Sequence, residues 1–186
     1  GRELVLDPFC GSGTLCIEAA WIARNRAPGL TRRFAAERWD CAGEASFRAV
    51  REAAKAREFH GDYTILGSDI DPEAVALARA NAQKAGVEHL VRFERADALR
   101  RDYPAQGILC ANPPYGERML EQQQARELMR QFGRRMAGLK DSWRMYLISS
   151  DEQFESAFGR RADKKRKLYN GMLKCNLHMY GERGRT

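Results

Sequence analysis

The sequence predicts an α/β protein with a doubly wound, mostly parallel sheet that ends in an antiparallel hairpin. Two observations lead to this prediction. Short apolar segments alternate with helical segments along the 186 residues, and repeated strand–helix units produce parallel sheets with helices on both faces. Near the end, two strand-like segments flank Asn170-Gly171, and Asn-Gly is the strongest short-range signal for a β-hairpin.

The predicted elements follow one another closely. Pro72 lies at the first turn of a helix, where its missing N–H breaks no helical hydrogen bond, and Gly86 suits the C-terminal cap of the same helix. The last strand should have one buried face, because apolar residues alternate there with Lys174, Asn176 and His178. These apolar residues are Leu173, Cys175, Leu177 and Met179. The predicted strands are 3–6, 63–68, 90–94, 108–111, 143–149, 166–169 and 172–180, and the predicted helices are 15–24, 45–59, 72–86 and 123–138.

We expect one domain over 1–186, with a helical insertion at about 30–60 to which we assign no chemistry. A chain of this length can bury a sizeable core. Trp39, within the insertion, is expected to be a packing residue. Because the sequence passes at once into a strand and carries no signal peptide, we expect it to be part of a longer protein.

Composition narrows the class of protein and of partner. The formal net charge is +7 and the isoelectric point about 9.4, which favours a polyanionic partner such as nucleic acid. Five cysteines without a C-x-x-C pair and three scattered histidines indicate neither a zinc site nor a disulfide framework. A reducing, cytoplasmic setting is the simplest interpretation. No apolar run approaches the ~20 residues that span a bilayer.

Loops with unusual residues follow the first three strands. In the loop 7–14, Gly11 and Gly13 permit close approach of a ligand, although the pattern is neither G-x-G-x-x-G nor a P-loop. Asp69 is placed to accept the hydroxyls of a ribose. Asp71 could share that task or simply cap the next helix. Asp97 could accept a hydrogen bond from an adenine amine or be a surface acid.

The fourth strand ends in ANPPYGER, where tandem prolines stop the ladder and hold the backbone rigid. The order of a glycine loop, two acids and NPPY along the chain resembles the Rossmann-like class I methyltransferases that use S-adenosylmethionine. Within them, NPPY marks enzymes that methylate an exocyclic nitrogen of a base. Asn112 and the Pro113 carbonyl could accept the two hydrogens of that amine, and Tyr115 could stack on a flipped base. The alternative is a rigid turn with a packed tyrosine.

A narrower resemblance covers DPFCGSGTLCIEAAWIARNRAPGL, GSDIDPEAVALARANAQKAG, NPPYGERM and the tail ADKKRKLYNGMLKCNLHMY. These segments resemble the bacterial ribosomal RNA large-subunit guanine-N2 methyltransferase family, in which an RNA-binding THUMP domain, absent from this sequence, precedes the catalytic domain. The resemblance implies a seven-stranded sheet, S-adenosylmethionine as cofactor, S-adenosylhomocysteine as product, no metal, and 23S rRNA as substrate. It implies catalytic roles for Asn112, Pro113, Pro114 and Tyr115, and cofactor contacts for Asp7, Phe9, Cys10, Gly11, Gly13, Thr14, Asp69, Ile70, Asp71, Asp97 and Ala98.

A basic cluster near the end of the chain is a candidate for RNA phosphate contact, or else a solvated loop. It comprises Arg160, Arg161, Lys164, Lys165, Arg166 and Lys167. Four other functions stay open on the sequence alone: adenine-N6 methylation of DNA or RNA, guanine-N2 methylation of transfer RNA, a dinucleotide-binding reductase, and a non-enzymatic RNA-binding assembly module.

Overall fold

The structure is a computed structural model that describes residues 3–41, 43–114, 116, 119–139 and 142–181. Seven strands form one mixed sheet, and helices cover both of its faces. The strands are β1 (Val5–Asp7), β2 (Ile65–Asp69), β3 (Val91–Arg95), β4 (Gly107–Ala111), β5 (Trp143–Ser149), β6 (Lys164–Asn170) and β7 (Leu173–Tyr180). The helices are α1 (Thr14–Ala23), α2 (Glu44–Lys55), α3 (Pro72–Ala85), α4 (Met119–Ala137) and α5 (Phe154–Phe158), with a 3₁₀ turn at Ala35–Arg38.

The strand order is β3-β2-β1-β4-β5-β7-β6. The first five strands are mutually parallel, whereas β7 runs antiparallel to both β5 and β6. The predicted fold class is therefore confirmed, and most predicted boundaries differ from the observed ones by one or two residues. The larger exceptions are the helices: α4 begins four residues before the predicted start, and α2 ends four residues before the predicted end.

The helices bury apolar residues on both faces of the sheet. On one face, α4 and α5 enclose Phe132 and Phe154 against Trp143 and Tyr180. On the other face, α1 and α3 pack on the sheet through small or branched residues such as Ala78, which belongs to the same core cluster as Phe93 of β3. Burial of each large apolar side chain adds about 1.5–3 kcal/mol to the free energy of unfolding. The sheet is thus a central layer in a three-layer structure.

The terminal hairpin departs from the prediction in two respects. Asn170 is still paired, with Leu173, so that the two-residue loop is Gly171–Met172, and Gly171 adopts the positive φ of 60° that such loops require. Leu173, predicted to be buried, is 44% exposed, whereas His178, predicted to be exposed, is only 3% exposed. The pairing of β7 with β5 ends at Asn176, so no strand covers Leu173. His178 instead packs on Phe154, with ring centroids 4.5 Å apart.

The segment at 30–60 lies outside the core. None of its described residues is buried, and Trp39, expected to pack, is 61% exposed. The segment is tied to the end of α1 by an ion pair of 2.8 Å between Arg24 and Glu58, and by a hydrogen bond of 3.0 Å from the Asn25 amide to the Arg57 carbonyl. Within the part of the chain that the structure describes, no helix has both the length and the apolar character needed to cross a membrane.

Gly133 allows α4 to touch α5, and this contact gives a stability prediction. A Cβ at Gly133 would overlap the carbonyl group of Phe158. We expect Gly133→Ala to lower the free energy of unfolding by about 1–3 kcal/mol, because overpacking outweighs the roughly 1 kcal/mol of helix propensity gained. The measurement is urea unfolding followed by circular dichroism. Gly138→Ala is the matched control, since a Cβ there meets no atom within 4 Å; equal stability of the two variants would contradict the prediction.

Candidate functional site

The candidate site is a cavity at the carboxyl ends of the parallel strands. Its volume is about 530 Å³, within the range of sites for small ligands and cofactors. Four separate parts of the chain line it: β1 with the loop and helix start that follow, the residue after β4, one residue of β5, and the tip of the β6–β7 hairpin. The lining residues are Asp7, Phe9, Cys10, Gly11, Ser12, Thr14, Leu15, Asn112, Ile148, Leu168, Tyr169 and Cys175.

The loop after β1 is fixed by backbone hydrogen bonds. The Cys10 N–H donates to the Ser68 carbonyl at 2.9 Å, and the Gly13 N–H donates to the Cys10 carbonyl at 2.8 Å. Gly11 and Gly13 both have positive φ, but they differ in their surroundings. A Cβ at Gly11 meets no atom within 4 Å, whereas a Cβ at Gly13 would lie 2.8 Å from the Phe93 ring. Gly13 is therefore required by packing, and its contact with a ligand stays a prediction.

Asp7 is a buried acid at the bottom of the cavity. Its side chain is almost fully buried, at 2% exposure, and it accepts a hydrogen bond of 3.0 Å from the Phe9 N–H. The pKa of Asp7 is raised to about 7, mainly by burial; the hydrogen bond from the Phe9 N–H opposes this rise, and the nearby charge of Asp69 adds to it. Near neutral pH this carboxyl group is divided between its neutral and charged forms. A cationic ligand in the cavity would favour the charged form.

Asp69, at the end of β2, connects the loops that follow three neighbouring strands. One carboxylate oxygen accepts the Gly11 N–H at 3.0 Å and the other accepts the Asp71 N–H at 3.1 Å. The carbonyl of Asp69 accepts the Ala96 N–H at 3.0 Å, which joins it to the loop after β3. Asp71 caps α3, because its carboxylate accepts the Glu73 N–H at 2.9 Å. Of the two interpretations left open for Asp71, this bond supports the cap.

Three further predicted cofactor residues lie at the same edge. Ile70 is exposed beyond the end of β2. Asp97 is half-buried and accepts the Leu99 N–H at 2.8 Å, with the Arg100 guanidinium 3.6 Å away. The side chain of Ala98 is buried in the core. None of these three lines the cavity described above, and their contact with a cofactor stays a prediction.

The segment after β4 carries the exposed side-chain amide of Asn112 next to two prolines that restrict the backbone. Asn112 is exposed, and its side chain makes no hydrogen bond to any residue within the described part of the chain. Pro113 is fully buried, and Pro114 is exposed. Gly116 has a φ of 65°, and a Cβ there would overlap the backbone of Glu121 in α4. Tyr115, predicted to be catalytic, lies outside the described residues.

A side-chain pair behind the prolines was not predicted. Arg126 of α4 donates two hydrogen bonds, of 2.7 and 2.8 Å, to the two carboxylate oxygens of Asp151. Both side chains line a small pocket together with Pro113 and Pro114. The bidentate geometry fixes α4 relative to the loop after β5. The proline segment therefore packs against a rigid support.

The hairpin residues of the cavity were also missed. The Asn-Gly signal located the hairpin along the chain, but it did not show where the hairpin lies in the sheet. Because β7 is antiparallel to both β5 and β6, β6 runs in the direction of the parallel strands, and the turn after β6 lies at the end of the sheet where those strands end. Leu168 and Tyr169 of β6 and Cys175 of β7 consequently face the same cavity as Asn112. Among the described residues, no group of three or more histidine, cysteine or acidic side chains could hold a metal ion.

The predicted basic cluster is divided by the structure. Arg160 is half-buried, with its guanidinium over the ring of Tyr180 at 5.2 Å and 3.8 Å from Asp163. Arg161 is exposed. The remaining four cations are all exposed and belong to the edge strand β6 instead of the predicted loop, while both RNA contact and mere solvation stay open for them. Lys165 pairs with Glu155 at 2.8 Å, while Lys164 and Arg166 have no ion pair within the described residues.

Comparison with known proteins finds relatives over almost the whole chain. The Bacillus subtilis (strain 168) protein YpsC is 39% identical over 179 residues, which are 94% of this chain and 46% of that protein. The Ribosomal RNA large subunit methyltransferase K/L of Shewanella sp. (strain ANA-3) is 43% identical over 182 residues, which are 95% of this chain and 26% of that protein. The chain thus spans less than half the length of these relatives.

A solved structure and a family model extend the comparison. The crystal structure of SMU.472, a complex with SAH, superimposes with a TM-score of 0.91 at 41% identity, covering 98% of this chain and 49% of that one. The family model described as "RMKL-like, methyltransferase domain" matches residues 1–179. The match extends over almost all of the sequence, including the glycine loop, Asn112 and the hairpin tip. The chain therefore belongs to the RMKL-like methyltransferase domain family.

Proposed function

We propose that this methyltransferase transfers a methyl group from S-adenosylmethionine to the exocyclic N2 amine of a guanine in RNA, with 23S rRNA as the expected substrate. One observation carries the proposal: the glycine loop after β1 and Asn112 after β4 line a single cavity. The relative from Shewanella is named for ribosomal RNA, and SMU.472 binds SAH, the product left by S-adenosylmethionine. An rRNA substrate also agrees with the cytoplasmic setting that the cysteine pattern predicts.

The cofactor is expected to lie along the loops after β1, β2 and β3. Asp69 is placed at the ribose, because each of its carboxylate oxygens accepts one backbone N–H and still has a lone pair for a hydroxyl. Asp97 is placed at the adenine amine. The methionine part, with its sulfonium, then extends towards Asp7 and Asn112, an acid and an amide that both line the cavity.

The acceptors after β4 would activate the amine. The lone pair of an exocyclic amine is delocalised into the ring of the base. The side-chain oxygen of Asn112 and the carbonyl oxygen of Pro113 can each accept one of its two hydrogens, which favours a pyramidal nitrogen with a localised lone pair. That lone pair forms the new N–C bond as the C–S bond breaks, and the sulfonium becomes a neutral thioether. The nitrogen then loses one proton to solvent, so the step requires alignment more than a strong base.

The choice of guanine N2 comes from the family resemblance, and adenine N6 in DNA or RNA is the strongest alternative. The same two acceptors would serve either amine. Guanine in transfer RNA is a further alternative with the same chemistry. A non-enzymatic assembly module is disfavoured, because residues of the glycine loop and Asn112 line one cavity.

Asn112 gives the first test of this proposal. We expect Asn112→Ala to lower kcat by about 10²–10³-fold, because one preorganised acceptor is lost, while the affinity for S-adenosylmethionine stays nearly unchanged. The measurements are nucleoside mass spectrometry of unmodified 23S rRNA after incubation, and calorimetry of cofactor binding. Gln106→Ala is the matched control, since Gln106 is an exposed amide at the opposite end of β4.

The products separate the alternatives. N2-methylguanosine that depends on Asn112 supports the proposal, whereas N6-methyladenosine would replace guanine by adenine and retain the mechanism. Parallel loss of cofactor binding and turnover in Asn112→Ala would contradict the role given to this residue.

The buried acid gives a pH prediction. The pKa of Asp7 is raised to about 7, so its carboxyl is mainly neutral below that pH and charged above it. Because the sulfonium favours the charged form, binding should release a proton, and the Kd for S-adenosylmethionine should fall about tenfold between about pH 6 and about pH 8. Calorimetry in buffers of constant ionic strength measures it. The Asp7→Asn variant should show a flatter profile, and an equal slope in both proteins would rule out Asp7 as the cause.

The unpaired cations of β6 give a salt prediction. If they contact RNA phosphates, replacing Lys164 and Arg166 together by Gln should reduce the slope of log affinity against log salt by roughly one to two units. Filter binding of 23S rRNA fragments between about 50 and 200 mM salt covers the range over which such contacts are screened. Arg92→Gln is the control, because Arg92 is an exposed arginine of β3, the outermost strand on the side of the sheet opposite to β6. The same slope for both variants would favour a merely solvated strand.

A further inference from the structure

The tip of the β6–β7 hairpin extends past the end of the sheet on the side of the cavity. The pairing of β5 with β7 ends at Ser149 and Asn176. Beyond that point the hairpin strands pair only with each other, through three residue pairs that end at Asn170 and Leu173. The hairpin tip, defined here as 168–175, therefore stands beside the cavity with no strand of the sheet on its inner side.

Tyr169 is the aromatic side chain of the hairpin tip. It lines the same cavity as Asn112 and is 64% exposed. Its hydroxyl makes no hydrogen bond to any residue in the described part of the chain, so no such bond fixes the orientation of the ring. The ammonium of Lys167, two residues earlier on the same strand, lies 5.2 Å from the centre of its ring. A ring with a cation over one face and the other face open is suited to stack on a planar, electron-rich group.

The spacing between Tyr169 and Asn112 fits such a group. β6 is three strands away from β4 in the sheet, which corresponds to roughly 14 Å at the usual distance between strands. Ile148 of β5 lies on the cavity wall between the two. A separation of this order leaves room for a planar base between Asn112 and the ring of Tyr169.

The charge around the hairpin tip indicates that this purine belongs to a nucleic acid chain. Lys167 lies on the same face of β6 as Tyr169, and Lys164 and Arg166 lie on the opposite face of this edge strand. Lys164 and Arg166 are exposed and make no ion pair with other described residues. A strand of unpaired cations that leads to an exposed aromatic ring is the arrangement by which single-stranded nucleic acid is bound: the cations follow the phosphates and the ring stacks on a base.

We propose that Tyr169 stacks on the target base after the base has left its helix, and so forms the wall of the base pocket across from Asn112. This inference rests on the proposed function, because it needs an RNA base in the cavity. Stacking on a ring face is tolerant of base identity. Tyr169 therefore contributes affinity and orientation of the base, and the choice between amines belongs to other residues.

The test uses Tyr169→Ala, Tyr169→Phe and Tyr169→Trp in the full chain, with Met172→Ala as control. Met172 is fully exposed in the loop of the same hairpin and does not line the cavity. For unmodified 23S rRNA, we expect Tyr169→Ala to lower kcat/KM about tenfold to a hundredfold, and Phe or Trp to restore it to within about threefold. Calorimetry should give an unchanged Kd for S-adenosylmethionine in all variants, and thermal unfolding should show that each is folded.

The contrary outcomes are distinct. Activity of Tyr169→Ala equal to that of Met172→Ala would overturn the inference while wild-type turnover upholds the proposed function. Failure of Phe to restore activity would assign the effect to the hydroxyl and overturn stacking. A weaker Kd for S-adenosylmethionine in Tyr169→Ala would assign the ring to the cofactor instead. Absence of any methylated nucleoside with the wild-type protein would overturn the proposed function and this inference with it.

Discussion

The parallel pairing of β1 with β2 on one side and with β4 on the other is the constraint on which the site depends. Leu6, at the centre of β1, is fully buried and pairs with both Leu66 and Leu109. Because the three strands run in the same direction, the chain leaves all of them at one edge of the sheet. A shift of one residue in the register would turn Asp7 to the other face of the sheet, and the cavity would lose its buried acid.

Asp69 converts this proximity into a fixed geometry, and its position also affects Asp7. Its two carboxylate oxygens and its carbonyl accept N–H groups from Gly11, Asp71 and Ala96, which belong to the loops after three different strands. The same carboxylate adds to the effect of burial that raises the pKa of Asp7. The carboxylate that orders the loops therefore lies close to Asp7, an acid that is itself poorly solvated. Under the proposed function, a cationic cofactor relieves that unfavourable environment.

The sequence predicts those parts of the site that depend on local chemistry. Glycine and proline restrict the backbone wherever they occur, so the loops after β1 and β4 could be recognised without knowledge of the fold. The cap formed by Asp71 follows from Pro72 next to it. Tyr169 and the Arg126–Asp151 pair could not be recognised in this way, because their positions depend on the register of β7 against β5 and on the packing of α4. Long-range contacts of this kind leave no pattern in a single sequence.

The hairpin illustrates how tertiary context alters a correct local signal. Asn-Gly marked the turn, yet Asn170 completes the ladder and the loop moves one residue further to Gly171–Met172. Alternation in β7 predicted one buried face, but burial is decided by what covers each residue. Leu173 is exposed because the hairpin extends past β5, whereas His178, which pairs with Leu147 of β5, is buried because Phe154 of α5 packs on it.

The cavity has two walls that are supported differently, because the hairpin extends past the end of its pairing with β5. On the side of β4, buried Pro113 and the bidentate Arg126–Asp151 pair hold the acceptors in place. On the other side, the strands of the hairpin tip pair only with each other and carry the exposed ring of Tyr169. Under the proposed function, methyl transfer requires the nitrogen to be aligned with the methyl donor, but it places a weaker demand on the opposite face of the base. A fixed acceptor wall and a less constrained stacking wall would then allow the pocket to receive a base from a folded RNA without disturbing the geometry at the reacting nitrogen.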